Sequence, residues 1–136
     1  MNRRAFFAIS AAFAVLPALA SAGPVDYTPG LVEQELAAGK TVFLDFKASW
    51  CSTCAAQERV IAKLMAENPA YEQNISFINV DWDEFRSAKI TKDLKIPRRS
   101  TLVVLKGNQE LGRIVAGVSK SDIKALMDTA LNAATS

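Results

Sequence analysis

The chain has 136 residues, half of them hydrophobic, with 16 basic and 14 acidic side chains, two cysteines and no histidine. That length supports one domain with a substantial core and excludes a comfortable pair of domains. Without a basic tract, phosphate backbones and anionic lipid surfaces are poor partners, so no nucleic-acid role is expected.

Residues 1–22 read as a signal peptide: Asn2-Arg3-Arg4 is a basic start, Ala5 to Ala20 an apolar run, and Ala20-Ser21-Ala22 a small-residue cleavage site. The alternative, an uncleaved membrane anchor, is disfavoured because the run is only 16 residues and contains Ser10 and Pro17. Arg3-Arg4 before Ala5-Phe6-Phe7 also resembles a twin-arginine export signal, although a general secretion signal uses the same arginines. Cleavage near Ala22 would leave 14 basic and 14 acidic side chains, a neutral domain over residues 23–136 destined for the periplasm or the exterior.

Gly23 to Gly30, rich in Pro and Gly, reads as an extended entry segment, and Leu31 to Ala38 as a short helix ended by Gly39. Thr41 to Phe46 is a near-continuous apolar run of strand length, as expected for a strand buried on both faces, with Asp45 its one acid. From Ser52 to Asn68 the residues Val60, Ile61, Leu64 and Met65 recur at helical spacing, and Asn68-Pro69 stops the helix. Ile75 to Val80 reads as a strand parallel to the first, followed by a polar, helical connection from Asp81 to Asp93. Thr101 to Leu105 and Glu110 to Val115 form a hairpin around Gly107-Asn108, and Ser119 to Ala134 closes the chain as an amphipathic helix. The order β-α-β-α-β-β-α builds an α/β fold, a central mixed sheet with helices on both faces.

Cys51 and Cys54 are three residues apart, so a bridge between them closes a very small loop and gains the least loop-closure entropy. A purely structural disulfide would use this pair badly. Zinc ordinarily takes four ligands, and the chain offers no further cysteine and no histidine. Two copies could together supply four thiolates to an intersubunit metal or iron–sulfur cluster, which composition leaves open.

The run Phe43-Leu44-Asp45-Phe46-Lys47-Ala48-Ser49-Trp50-Cys51-Ser52-Thr53-Cys54 resembles the thioredoxin active-site block. Asn79-Val80-Asp81, Leu102 to Lys106 and Gly117-Val118-Ser119-Lys120 follow in the family's order, so the resemblance extends from about Leu31 to Leu131. It implies a thioredoxin-like fold and a redox-active disulfide with no other cofactor. Cys51, at a helix start that favours its thiolate, is the expected nucleophile, and Cys54 the resolving thiol. Asp45 stands where the family places a buried acid, whose raised pKa suits it to take the Cys54 proton; a half-exposed strand aspartate is the other reading. Lys47 and Phe77 depart from the family, which often has tryptophan and lysine there, so Asp45 is expected to be more isolated and harder to ionise.

The family also packs a cis-proline loop against its cysteines. Either Pro97 fills that place with an insertion before the strand, or a gapless alignment puts Ser100 there and preserves the apolar register of Leu94, Ile96, Thr101 and Leu102. The gapless reading is preferred, with a trans Arg99–Ser100 bond, because a non-proline cis peptide costs about 2.5–4 kcal/mol. It brings Arg98 and Arg99 near Cys51, where a guanidinium would favour the thiolate, a solvated loop pair being the other reading, and it opens space through which a cluster could reach both sulfurs. Trp50, Arg99, Ser100 and Thr101 are then the expected substrate contacts, Trp50 sharing its reading with ordinary core packing.

The expected function is thiol-disulfide exchange with periplasmic protein substrates by a monomer served by a membrane electron-donor or acceptor protein. Asp45 and Ile96 lean toward a reductase; Arg98-Arg99 and the dipeptide Ser52-Thr53 lean toward an oxidant. The competing class is a non-enzymatic module that presents Trp50 and the Ser100 loop to a partner or a shared cluster.

Overall fold

The computed structural model describes residues 23–136, so the expected leader lies outside the described residues. Five strands form one sheet: β1 (Val25–Asp26), β2 (Thr41–Lys47), β3 (Ile75–Asp81), β4 (Thr101–Lys106) and β5 (Gln109–Val115). Their order is β1-β3-β2-β4-β5. β3 runs parallel to both β1 and β2, whereas β4 is antiparallel to β2 and to β5. The mixed sheet with a parallel β2–β3 pair and a terminal hairpin is the one the residue pattern implies.

β2 lies at the centre, and Thr41 through Phe46 are all buried. Alternation along the strand sends Val42, Leu44 and Phe46 to one layer and Phe43 and Asp45 to the other. On the first face Val42, Leu44, Phe46, Ile78 and Val103 pack against Val32 of α1 (Leu31–Ala37) and Ile90 of α5 (Lys89–Asp93). On the second, Phe43, Phe77 and Leu102 meet α2 (Ser52–Glu67) and α6 (Lys120–Thr135) through Ile61, Leu64, Ile123 and Met127. Asp45 thus points, from the middle of the sheet, toward the helix that begins at the cysteines.

Three elements go beyond the sequence reading. The entry segment contributes the two-residue strand β1, which borrows its order from β3. The stop at Asn68-Pro69 is followed at once by α3 (Ala70–Asn74), whose buried Tyr71 donates a hydrogen bond to Asp128 of α6. The polar connection after β3 is two short helices, α4 (Trp82–Phe85) and α5, rather than one. Gly107, first residue of the two-residue β4–β5 loop, has φ 59°, which primed hairpin turns require at that position.

Candidate active site

Cys51 has extended backbone angles and caps α2, its sulfur accepting the Cys54 N–H at 3.2 Å. Apolar residues at Cys54, Ile61 and Leu64 pull one face of that 16-residue helix into the core, fixing its first turn under the end of β2. The two cysteines form a disulfide with Cα atoms 5.2 Å apart, and both are buried. A sulfur at this place faces free backbone N–H groups and the positive end of the helix dipole, which stabilise a thiolate on reduction.

Ser100 lies directly over the disulfide, its Oγ 3.2 Å from Cys51 Sγ and 3.1 Å from Cys54 Sγ. Pro97 is exposed, three residues earlier in the loop, so the gapless alignment describes the chain. The Arg99–Ser100 peptide is trans, and Ser100 turns the chain into β4 with φ 64°. A left-handed conformation costs a non-glycine residue about 1–2 kcal/mol. It persists here because both backbone groups are tied: Ser100 N–H donates to Phe46 O at 2.7 Å, and Ser100 O accepts Ala116 N–H at 2.8 Å. On this side of the sulfurs the Ser100 hydroxyl stands where an opening was expected.

Gln57 was not singled out by the sequence. Fully buried, its Nε2 donates to Ser100 O at 2.9 Å and to Gly117 O at 3.0 Å, tying α2 to both loops that flank the disulfide. The signal was present, because Cys54, Gln57, Ile61 and Leu64 make one helical stripe in which Gln57 is the lone amide.

Asp45 is 6% exposed, which settles its burial against the half-exposed reading. Desolvation pushes its pKa up to about 7, with Lys47 opposing and Glu58 adding to the rise. Its Oδ1 has no hydrogen-bond partner. Phe77, where the family often carries lysine, packs in the apolar cluster, and Lys47 is engaged by Glu58 at 2.6 Å. The isolation expected for Asp45 has these two causes.

Trp50 is 58% exposed, so core packing does not describe it. Its indole N–H donates to the Asp83 carboxylate at 2.9 and 3.1 Å, and the Arg99 guanidinium sits 4.5 Å over its ring. Trp82, the residue beside Asp83, packs against Ala48, Cys51 and Cys54. Neither Asp83 nor Trp82 was predicted, for both come from the polar connection after β3 and carry no motif. Thr101, expected to contact substrate, is fully buried and donates its hydroxyl to Arg98 O at 2.7 Å; it braces the loop instead. Ser100 is equally buried, its hydroxyl directed at the sulfurs.

A groove of about 530 Å³ opens beside the disulfide, with Tyr27, Ser49, Cys51, Cys54 and Glu58 among its walls. Among the described residues no cluster of three or more Cys, His, Asp or Glu could hold a metal ion.

Comparison with known proteins agrees with this geometry. Residues 26–129 match the family described as Thioredoxin. Thioredoxin H2-1 of Oryza sativa subsp. japonica is 30% identical over 97 residues, covering 71% of this chain and 65% of that protein. A Thioredoxin H-type of Fagopyrum esculentum is 33% identical over 85 residues, covering 62% of this chain and 67% of its own length. The chain thus spans about two thirds of these relatives, slightly less for the rice protein. Among solved structures, Trxlp of Edwardsiella tarda aligns with a TM-score of 0.64 at 28% identity, covering 74% of this chain and 96% of that one. Malassezia sympodialis thioredoxin aligns with a TM-score of 0.66 at 27% identity, over 80% and 95% of the two chains. The fold is thioredoxin-like, and since the family match runs from the first strand deep into the last helix, the chain belongs to the thioredoxin family.

Proposed function

We propose that the protein is an exported thiol-disulfide oxidoreductase that reduces disulfides in protein substrates of the periplasm or cell exterior, acting as a monomer. A membrane electron-donor protein would restore its dithiol. The observation that carries the reading is the Cys51–Cys54 pair at the capped start of α2, with a titratable Asp45 on the strand behind it. Export is supported by the basic, apolar and small-residue zones of residues 1–22.

In this reading the Cys51 thiolate attacks one sulfur of a substrate disulfide, breaking that bond and releasing a substrate thiolate, which takes a proton from solvent. Cys54 then loses its proton to ionised Asp45 and attacks Cys51 Sγ. The mixed disulfide breaks, the second substrate thiolate leaves, and the Cys51–Cys54 bond forms as two electrons pass to the substrate. A pKa near 7 leaves Asp45 able to accept that proton and to return it at neutral pH.

The test is a redox titration of the purified protein in defined thiol buffers, with free thiols trapped at each point. A potential near about −270 mV supports the reductase direction, and one near about −120 mV reverses it to an oxidant. A pair that does not titrate reversibly would sink the exchange mechanism.

A further inference from the structure

Among the described residues the two arginines before Ser100 have no acidic partner. Among the described residues six ion pairs form, and neither Arg98 nor Arg99 takes part in any of them. Arg99 is nevertheless held in place: its guanidinium lies on the Trp50 ring, and Trp50 is fixed at its other edge by Asp83. Its Nε is buried without an acceptor. A planar fork ordered in advance loses little further freedom when it meets a carboxylate, and guanidinium geometry suits that ligand.

Arg98 adds a second element. Its Nε donates to Arg99 O at 3.0 Å, which holds its side chain beside that of Arg99. The groove beside the disulfide has the opposite character: among the described residues its walls carry Asp26, Glu58, Asp81 and Glu84 against the single cation Lys47, already paired with Glu58. Arg98, Arg99 and Ser100 are not part of those walls. The disulfide therefore borders an acidic groove, while the arginine pair adjoins it through Ser100.

We propose that Arg98 and Arg99 form a docking rim for carboxylates, selecting substrate proteins whose reactive cysteine is flanked by Asp or Glu over those flanked by Lys. This rests on the oxidoreductase reading and names the substrate chemistry it lacks. The rim orients as well as attracts, because an acidic flank is drawn toward the arginines and repelled from the groove.

The experiment uses synthetic disulfide-looped peptides identical except for Glu, Gln or Lys beside the attacked cysteine, and follows their reduction by the reduced protein. At low salt the Glu peptide is expected to react about fivefold faster than the Lys peptide, the size that exposed charge pairs support. The ratio should approach one at about 0.5 M salt, where screening is strong. In the R98Q/R99Q double variant the preference for the Glu peptide should be lost at all salt concentrations, whatever the absolute rate. Equal rates for Glu and Lys peptides with the native protein, or a preference that survives in the double variant, overturns the docking rim while leaving exchange intact. If the double variant does not fold, the salt series on the native protein decides. Failure of all three peptides to react removes the oxidoreductase reading and this inference with it.

Discussion

The Ser100 hydroxyl sits 3.2 Å from the sulfur of Cys51, on a backbone turned to φ 64° and pinned between Phe46 and Ala116. A serine in a trans peptide thus occupies the place that the family resemblance gave to a cis-proline. The exchange brings something a proline lacks, a donor aimed at the sulfurs. Once the disulfide is reduced, that hydroxyl can donate to the Cys51 thiolate, and stabilising the thiolate raises the reduction potential.

Ser100→Ala should therefore make the protein a stronger reductant. A hydrogen bond to a charged group contributes about 1.5 kcal/mol, equivalent to a shift of about 30 mV to more negative potential. Redox titration of the variant beside the native protein measures it, and in the reduced variant the ultraviolet absorbance of the thiolate should appear at higher pH. An unchanged potential would mean that the hydroxyl serves the loop and not the sulfur.

Asp45 links the site to stability. Its folded pKa of about 7 lies above the ordinary value of 3.8, so between those limits the folded state holds a proton that the unfolded chain has released. Stability accordingly falls as pH rises from about 4 through about 7, and the full penalty is present above that. Asp45→Asn should remove this slope in the oxidised protein, gaining as much as about 4 kcal/mol at pH 8 relative to acid pH. Urea unfolding at several pH values reads it. The same variant should slow resolution of a trapped mixed disulfide by about a hundredfold, since the base for Cys54 is lost. Stability curves that stay parallel would show that Asp45 titrates normally.

Gln57 should behave as a brace. Gln57→Met keeps the volume and helical shape but removes the two hydrogen bonds to Ser100 O and Gly117 O. The loss is expected at about 1–2 kcal/mol, moderated because Gln57 Oε1 is itself without a partner. A lower urea midpoint at unchanged slope is the expected result. No loss of stability would mean that the loops hold Ser100 without help from α2.

The contrast between Gln57 and Asp83 explains how much of the site was legible in the sequence. β2, α2 and the β4–β5 hairpin carry their own periodicity and turn residues, and the cysteines stand at a junction the pattern locates. Gln57 sits in a readable stripe and was passed over. Asp83 acts only because the chain after β3 folds back beside Trp50, a proximity of residues 33 apart that no local pattern encodes. α3 escapes the residue pattern for a related reason: Asn68-Pro69 signals a stop, whereas proline at a helix start is well tolerated. Ser100 was identified because buried strand β4 fixes its register, while its hydroxyl contact with both sulfurs became visible only in three dimensions.

The junction after β3 also determines which tryptophan packs against the cysteines. Asp81 caps α4 by accepting the Asp83 N–H, and that turn directs Trp82 onto the disulfide and Asp83 onto Trp50. Contact between an indole and a disulfide quenches the excited ring by electron transfer, which falls off steeply with separation. Trp82 makes that contact, whereas Trp50 is largely exposed and stacked under Arg99. Reduction should raise the fluorescence of the native protein and of Trp50→Phe to a similar degree, while Trp82→Phe should retain little of the change. If Trp50→Phe abolished the signal instead, the packing of Trp82 against the cysteines would not persist in solution.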